Sequence, residues 1–87
     1  MKKQKFNQQK QLIKEIFYYS KNKKSHMHEY NPNTKEMIKF IQYYPNGRIN
    51  YIAEWNKSGN ELIKETYYNS NGSLLWKEDY LIDDKNK

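Results

Sequence analysis

Cysteine is absent from these 87 residues, which excludes a disulfide framework and any thiol chemistry. No apolar run approaches the ~20 residues of a membrane-spanning helix. The opening MKKQKFNQQKQ has the positive charge of a signal peptide's first region but not the apolar stretch that should follow. The expectation is a cytoplasmic chain, or a mature form whose leader has already been removed. Histidine is limited to two residues. His26 and His28 stand at i and i+2, on one face of a strand, as a metal pair would. With no cysteine and no third histidine to join them, the reading is ring packing rather than a metal site. Catalytic groupings are missing as well: Ser20, Ser25, Ser58, Ser70 and Ser73 fall in or beside turns with no convergent base. The acids Glu29, Glu54 and Asp79 alternate with apolar residues, as solubilising and cross-strand partners do. No enzyme, cofactor or metal is expected.

What the chain does have is rings and charge. Aromatic residues make up 16% and charged residues 30%, with a formal net charge of +6. Rings bring large buried area with few torsions to freeze, so they hold together a sheet poor in aliphatics where charge alone would favour disorder. A chain of this length is one small domain, able to bury roughly 60% of its unfolded surface. The positive balance points toward anionic partners, although a Lys/Asn/Ile/Tyr-rich composition also arises from an AT-rich genome.

A repeat of period 25 runs through the chain. The units are 12–36, 37–61 and 62–82, between a basic N-terminal arm at 1–11 and a polar tail at 83–87. Their starts read LIKEIFYY, MIKFIQYY and LIKETYYN; their second halves read HMHEY, YIAEW and WKEDY. Each unit carries two strand-like segments bounded by Asn, Gly, Pro and Ser. Tyr44-Pro45-Asn46-Gly47-Arg48 suits a three-residue turn with Gly47 left-handed, repeated at Gly72 and filled by Asn22 in the first unit. The fold expected is all-β: an antiparallel meander of about six strands from three hairpin repeats, with residues 2–11 a short helix or loose arm.

Strict pairing about the central turn sets Tyr43 against Ile49, Ile41 against Tyr51, Lys39 against Ala53 and Met37 against Trp55, with Trp55 closing on Leu62. Lys64 is expected opposite Glu78, and Lys77 near Glu65. One face then gathers Leu12, Ile16, Tyr18, Met37, Ile41, Tyr43, Tyr51, Trp55, Trp76 and Tyr80, crossed by Lys14, Lys39 and Lys64. Two ring columns run over it, Tyr30–Trp55–Tyr80 and His26–Tyr51–Trp76. The other face mixes Phe17, Ile38, Phe40, Ile52, Tyr67 and Leu75 with acids. Those six residues are the candidate patch for a protein partner, an apolar centre ringed by charge. The alternative site is a nucleic-acid platform on the first face. There Tyr51, Trp55, Trp76 and Tyr80 would stack bases while Lys14, Lys39 and Lys64 meet phosphates. Six strands cannot bury both faces alone, so the arm, a second copy or a partner is expected to cover one.

The run EYNPNTKEMIKFIQYYPNGRINYIAEWNKSGNELIKETYYNSNG resembles a domain family of unknown function found in phytoplasma proteins. Members of that family repeat units of the form Y-N-P-x-T-G-K-x-I-K-x-T-x-Y-x-x-D-G-K. The marks here are Tyr30-Asn31-Pro32-Asn33-Thr34-Lys35, Ile38-Lys39 and Asn46-Gly47, recurring as Ile63-Lys64 and Asn71-Gly72. Lys35 follows Thr34 with no glycine between, and Asn22-Lys23 replaces the first Gly-Lys. The resemblance implies a wall-less bacterium inside plant and insect cells, a secreted protein acting on a host protein, and no catalytic residues. The expected function is thus a non-enzymatic protein-interaction module, an effector binding a host or bacterial protein through its sheet surface.

Overall fold

The structure is a computed structural model and describes residues 1–80; the end of the third repeat at 81–82 and the expected polar tail lie outside the described residues. Seven strands form one antiparallel sheet in chain order: β1 (Lys2–Phe6), β2 (Leu12–Ser20), β3 (Lys23–Tyr30), β4 (Met37–Tyr43), β5 (Ile49–Trp55), β6 (Leu62–Tyr68) and β7 (Leu74–Asp79). The meander and its all-β character are as expected. The N-terminal arm is not: residues 2–6 are a strand paired with β2, and no described residue is helical. The basic KKQKF segment has little strand propensity of its own. The hydrogen-bonding edge of β2 supplies what propensity does not, and β1 repeats the pattern of β3, β5 and β7. No helix in the described chain is long and apolar enough to cross a membrane.

Two kinds of connection alternate. At the central and last hairpins the Gly47 and Gly72 N–H groups donate to Tyr44 O and Asn69 O, each at 2.9 Å, with φ of +92° and +96°. These are the three-residue turns expected. The first hairpin differs: Ser20 pairs with Lys23, leaving a two-residue turn, and Asn22 does not take the left-handed conformation. At the opposite ends of the strands, each loop is built on its first residue. The side-chain oxygens of Asn7, Asn31 and Asn56 accept from the Gln9, Asn33 and Gly59 N–H groups at 2.8–2.9 Å. Lys10, Lys35 and Gly59 then turn the chain at positive φ.

Neighbouring repeats latch at both ends of the sheet. Tyr44 Oη donates to Tyr68 O at 2.6 Å and Asn46 Nδ2 to Ser70 O at 2.9 Å. On the loop side, Thr34 Oγ1 donates to Ser58 O and Asn31 Nδ2 to Lys57 O. Each bond spans about one repeat, so stability is a sum of unit and nearest-neighbour terms.

The register holds the main departure from expectation. Tyr43 does face Ile49 and Trp55 does face Leu62, but Ile41 pairs with Ile52, Phe40 with Ala53 and Lys39 with Glu54. An extra residue, Asn50, is inserted after Ile49, and its counterparts Ser25 and Leu75 are inserted likewise. A second series, Ile13, Ile38 and Ile63, is extra at the other end of the strands. Each bulge moves everything beyond it by one residue, and a one-residue slip exchanges the faces. So Tyr51 and Trp76 leave the face of Ile41, while Ile52, Glu29, Glu54 and Asp79 join it. Lys64 faces Asp79, and Lys77 faces Thr66.

The result is a single layer with Cα extents of 47 × 38 × 14 Å. Stable domains normally pack a sheet against a second layer. Here only Ile16, Met27 and Ala53 are buried hydrophobics among the described residues, and no side chain is below 2% exposed.

Candidate partner-binding face

Cross-strand partners share a face, so the register assigns the two surfaces. One, the ring face, carries three rows. The first runs Lys2, Phe17, His26, Gln42, Tyr51, Tyr67, Trp76; the second runs Gln4, Glu15, His28, Phe40, Ala53, Glu65, Glu78. Pairings of Phe6, Tyr30 and Trp55 with Leu12, Met37 and Leu62 make the third.

Rings on this face form a connected array. Phe17 stacks on His26 with centroids 4.4 Å apart and planes 11° from parallel. His26 and His28 approach Phe40 at 5.9 and 5.4 Å. Phe40 meets Tyr51 at 6.0 Å, and Tyr51 meets Tyr67 at 4.8 Å. Pairs at these separations contribute about 0.5–1.5 kcal/mol beyond burial. The array therefore stiffens the sheet and still presents ring surface outward. Ala53, only 2% exposed, is the small residue directly across the strands from Phe40.

Two carboxylates are set into the array by tyrosine hydroxyls. Tyr30 Oη donates to Glu15 Oε1 at 2.7 Å, and Gln4 Nε2 donates to Glu15 Oε2 at 2.9 Å. One double period later, Tyr80 Oη donates to Glu65 Oε1 at 2.6 Å, and Tyr51 Oη donates to Glu65 Oε2. These bonds hold both carboxyls below the ordinary 4.5. In return Tyr30, chiefly by desolvation, and Tyr80, chiefly by its bond to Glu65, are pushed up to about 12. The middle repeat has Phe40 where the outer ones have Glu15 and Glu65, and Trp55 where they have Tyr30 and Tyr80. Carboxylate–hydroxyl pairs flank an apolar pair at the same positions. Sequence reading missed this exchange, although Glu/Phe/Glu against Tyr/Trp/Tyr at two repeat positions was its signal. His28 is held below 6.5 by desolvation and then by His26, with Glu15 opposing, so at neutral pH it is an uncharged ring.

The other surface, the ladder face, carries Lys5, Lys14, Glu29, Lys39, Glu54, Lys64 and Asp79 directly across the strands from one another. Beside this row run Lys3, Ile16, Met27, Ile41, Ile52, Thr66 and Lys77. Next come Tyr18, Lys24, Tyr43, Ile49, Tyr68 and Leu74, with the Lys24 Nζ 5.4 Å from the Tyr43 ring centroid.

The structure thus brings together Phe17, Phe40 and Tyr67 of the first candidate set, and adds His26, His28 and Tyr51. It places Ile52 on the opposite face and Ile38 and Leu75 at bulges. Of the alternative set, Tyr51, Trp55, Trp76 and Tyr80 share the ring face, while Lys14, Lys39 and Lys64 lie on the ladder face. No single surface offers both the rings and those lysines, because the bulges exchange the faces between them. Charge near the rings is instead mainly acidic, from Glu15, Glu65 and Glu78 against Lys2.

The fold and this surface define a class: single-layer, tandem β-hairpin repeat proteins with an aromatic face. The family model described as "Protein of unknown function (DUF2963)" matches residues 18–67 and again 43–80. The chain belongs to that family. The first match spans two periods of 25 and the second starts one repeat later, since 43 less 18 is 25, so the match repeats in register with the hairpins. No curated protein and no solved structure matches the chain.

Proposed function

We propose that the chain is a non-enzymatic protein-interaction module that binds a partner protein through the ring face, around Phe17, Phe40, Tyr51 and Tyr67. The observation that carries this reading is the connected ring array on a sheet one layer thick. Aromatic surface rimmed by charge is the composition of interface cores. The acids at its border favour a partner with an apolar centre and a basic rim. They disfavour a phosphate backbone, which the lysines of the opposite face cannot reach across the sheet. Glu15 and Glu65 are committed to tyrosine hydroxyls and kept ionised, which suits positioning rather than proton transfer. The family resemblance supports a setting as a secreted bacterial effector that works by occupying or bridging a host protein.

Affinity capture from a nuclease-treated plant-cell lysate tests this. The expected result is a discrete protein retained by the wild-type chain and lost with Phe40→Asp or Tyr67→Ala, both checked as folded by circular dichroism. Retention unchanged by these substitutions overturns the reading. So does capture that vanishes with nuclease and weakens steeply between roughly 50 and 200 mM salt, the signature of phosphate binding.

A further inference from the structure

On the ladder face, we infer that a second copy of this chain docks face to face, across a two-fold axis parallel to the strands and between β4 and β5. The argument is the sign pattern of the charged row. Over the six strands from β2 to β7 it reads Lys14, Glu29, Lys39, Glu54, Lys64, Asp79, positive and negative in strict alternation, while Lys5 of β1 adds a second lysine beside Lys14 and overhangs the paired region. The six-strand row is antisymmetric: reversed end to end, every cation falls on an acid. A two-fold axis along the strands performs that reversal and lays each row over its own copy. β2 then lies over β7 of the other copy, β3 over β6 and β4 over β5.

The adjacent rows obey the same operation. Ile41 meets Ile52 of the other copy at the centre; further out, Met27 lies over Thr66 and Ile16 over the stem of Lys77, where Met27, Thr66 and Ile16 are already buried within the chain and add little. In the next row Tyr43 meets Ile49, Tyr18 meets Leu74 and Tyr68 meets Lys24, so each ring falls on an aliphatic stem instead of another tyrosine. Sheets stacked this way pack about 10 Å apart with nearly aligned strands. A face within the 47 × 38 Å outline exceeds the ~800 Å² per partner of a stable interface. Within the described chain only Lys14 and Glu29 of this row close an ion pair, at 3.5 Å. Lys39, Glu54, Lys64 and Asp79 keep their charges available for the second copy. The ring face fails the same operation, because it would lay Glu15 over Glu78. Dimerisation therefore covers the ladder face and leaves two ring faces outward, and it stands whether or not the ring face binds a protein.

Sedimentation equilibrium on the full chain tests the proposal through one pair of substitutions. Lys39→Glu gives the centre of the interface two acids per copy, and Glu54→Lys gives it two cations. Each variant alone is expected to dimerise at least roughly 1,000-fold more weakly than wild type, since the two-fold axis places two like-charge contacts in every homodimer. Mixed in equal amounts, the two variants are expected to form a heterodimer near wild-type affinity, because each acid then faces a cation of the other chain. Mixing cannot repair a defect inside either chain, so rescue separates the interface from the fold. A monomeric wild type overturns the proposal. So does a dimer indifferent to both substitutions, as pairing through the exposed β7 edge would give, or a mixture that stays monomeric.

Discussion

Replacing Tyr30 with phenylalanine removes one oxygen and nothing else, at the point where Glu15 depends on it most. That hydroxyl stands 2.7 Å from Glu15 Oε1 and 3.0 Å from His28 Nδ1. Glu15 is only 9% exposed, so water cannot freely replace the lost donor. A hydrogen bond to a charged group contributes about 1.5–3 kcal/mol. The lower end applies, because Gln4 at 2.9 Å and Lys2 at 3.5 Å remain as partners. Water also lies one side-chain layer away on a single sheet. A loss of about 1.5 kcal/mol corresponds to roughly 6–12 °C in Tm for a domain of this size. The loss is expected to depend on pH. Glu15 has a folded pKa below 4.5, so the stabilisation from its partners is complete above 4.5 and fades as pH falls through the folded value. Thermal melts of wild type and variant followed by circular dichroism, at pH 7 and near pH 3, read both effects. A gap under about 0.5 kcal/mol at pH 7, or one that persists undiminished near pH 3, would refute the argument that the hydroxyl stabilises an ionised carboxylate.

Other outcomes follow from the same geometry. Wild-type stability is expected to fall on acidification below 6.5, because His28 is held neutral, and further below 4.5 as Glu15 and Glu65 protonate; it should also fall from pH 10 toward 12, as the unfolded tyrosines ionise before Tyr30 and Tyr80 do. Urea titrations across that range check both limbs. Gly59→Ala should destabilise by more than Gly47→Ala: both have positive φ, but a Cβ at Gly59 would overlap the Glu36 Cβ, whereas at Gly47 nothing lies within 4 Å. The left-handed backbone alone costs about 1 kcal/mol, which sets the Gly47→Ala expectation in a paired melt. Converting the middle repeat to the outer pattern, Phe40→Glu with Trp55→Tyr, should cost less than the two single changes summed. A coupling of about 1 kcal/mol in a double-mutant cycle is the expected reading.

The meander and its two glycine turns were legible because they are local, whereas the first turn, where Asn22 was expected to be left-handed, was not. Gly47 and Gly72 mark their own positions, and the period repeats the marks. β1 was not, since KKQKF becomes a strand only by meeting the edge of β2. The assignment of faces failed for a related reason. An alternating pattern read outward from a turn assumes one residue opposite one residue, and the extra residues at Ile13, Ile38 and Ile63 and at Ser25, Asn50 and Leu75 break that count twice per repeat. The clue was in the charges. Lysines at 14, 39 and 64 and acids at 29, 54 and 79 keep one sign per repeat position, as a cross-strand row on one surface would. Phe17, Phe40 and Tyr67 were grouped correctly because all three stand on the first strands of their repeats, on the same side of the bulges.

The latches between repeats have a consequence for how such chains change length. Tyr44 reaches Tyr68, Asn46 reaches Ser70 and Thr34 reaches Ser58, always one unit ahead and never from one end of the sheet to the other. Among the described residues no closing contact counts the units. Inserting or deleting one hairpin of 25 residues leaves each remaining unit beside a neighbour of the same turn-and-latch form. It also adds or removes one cation and one acid together, so the charged row keeps its alternation at any length.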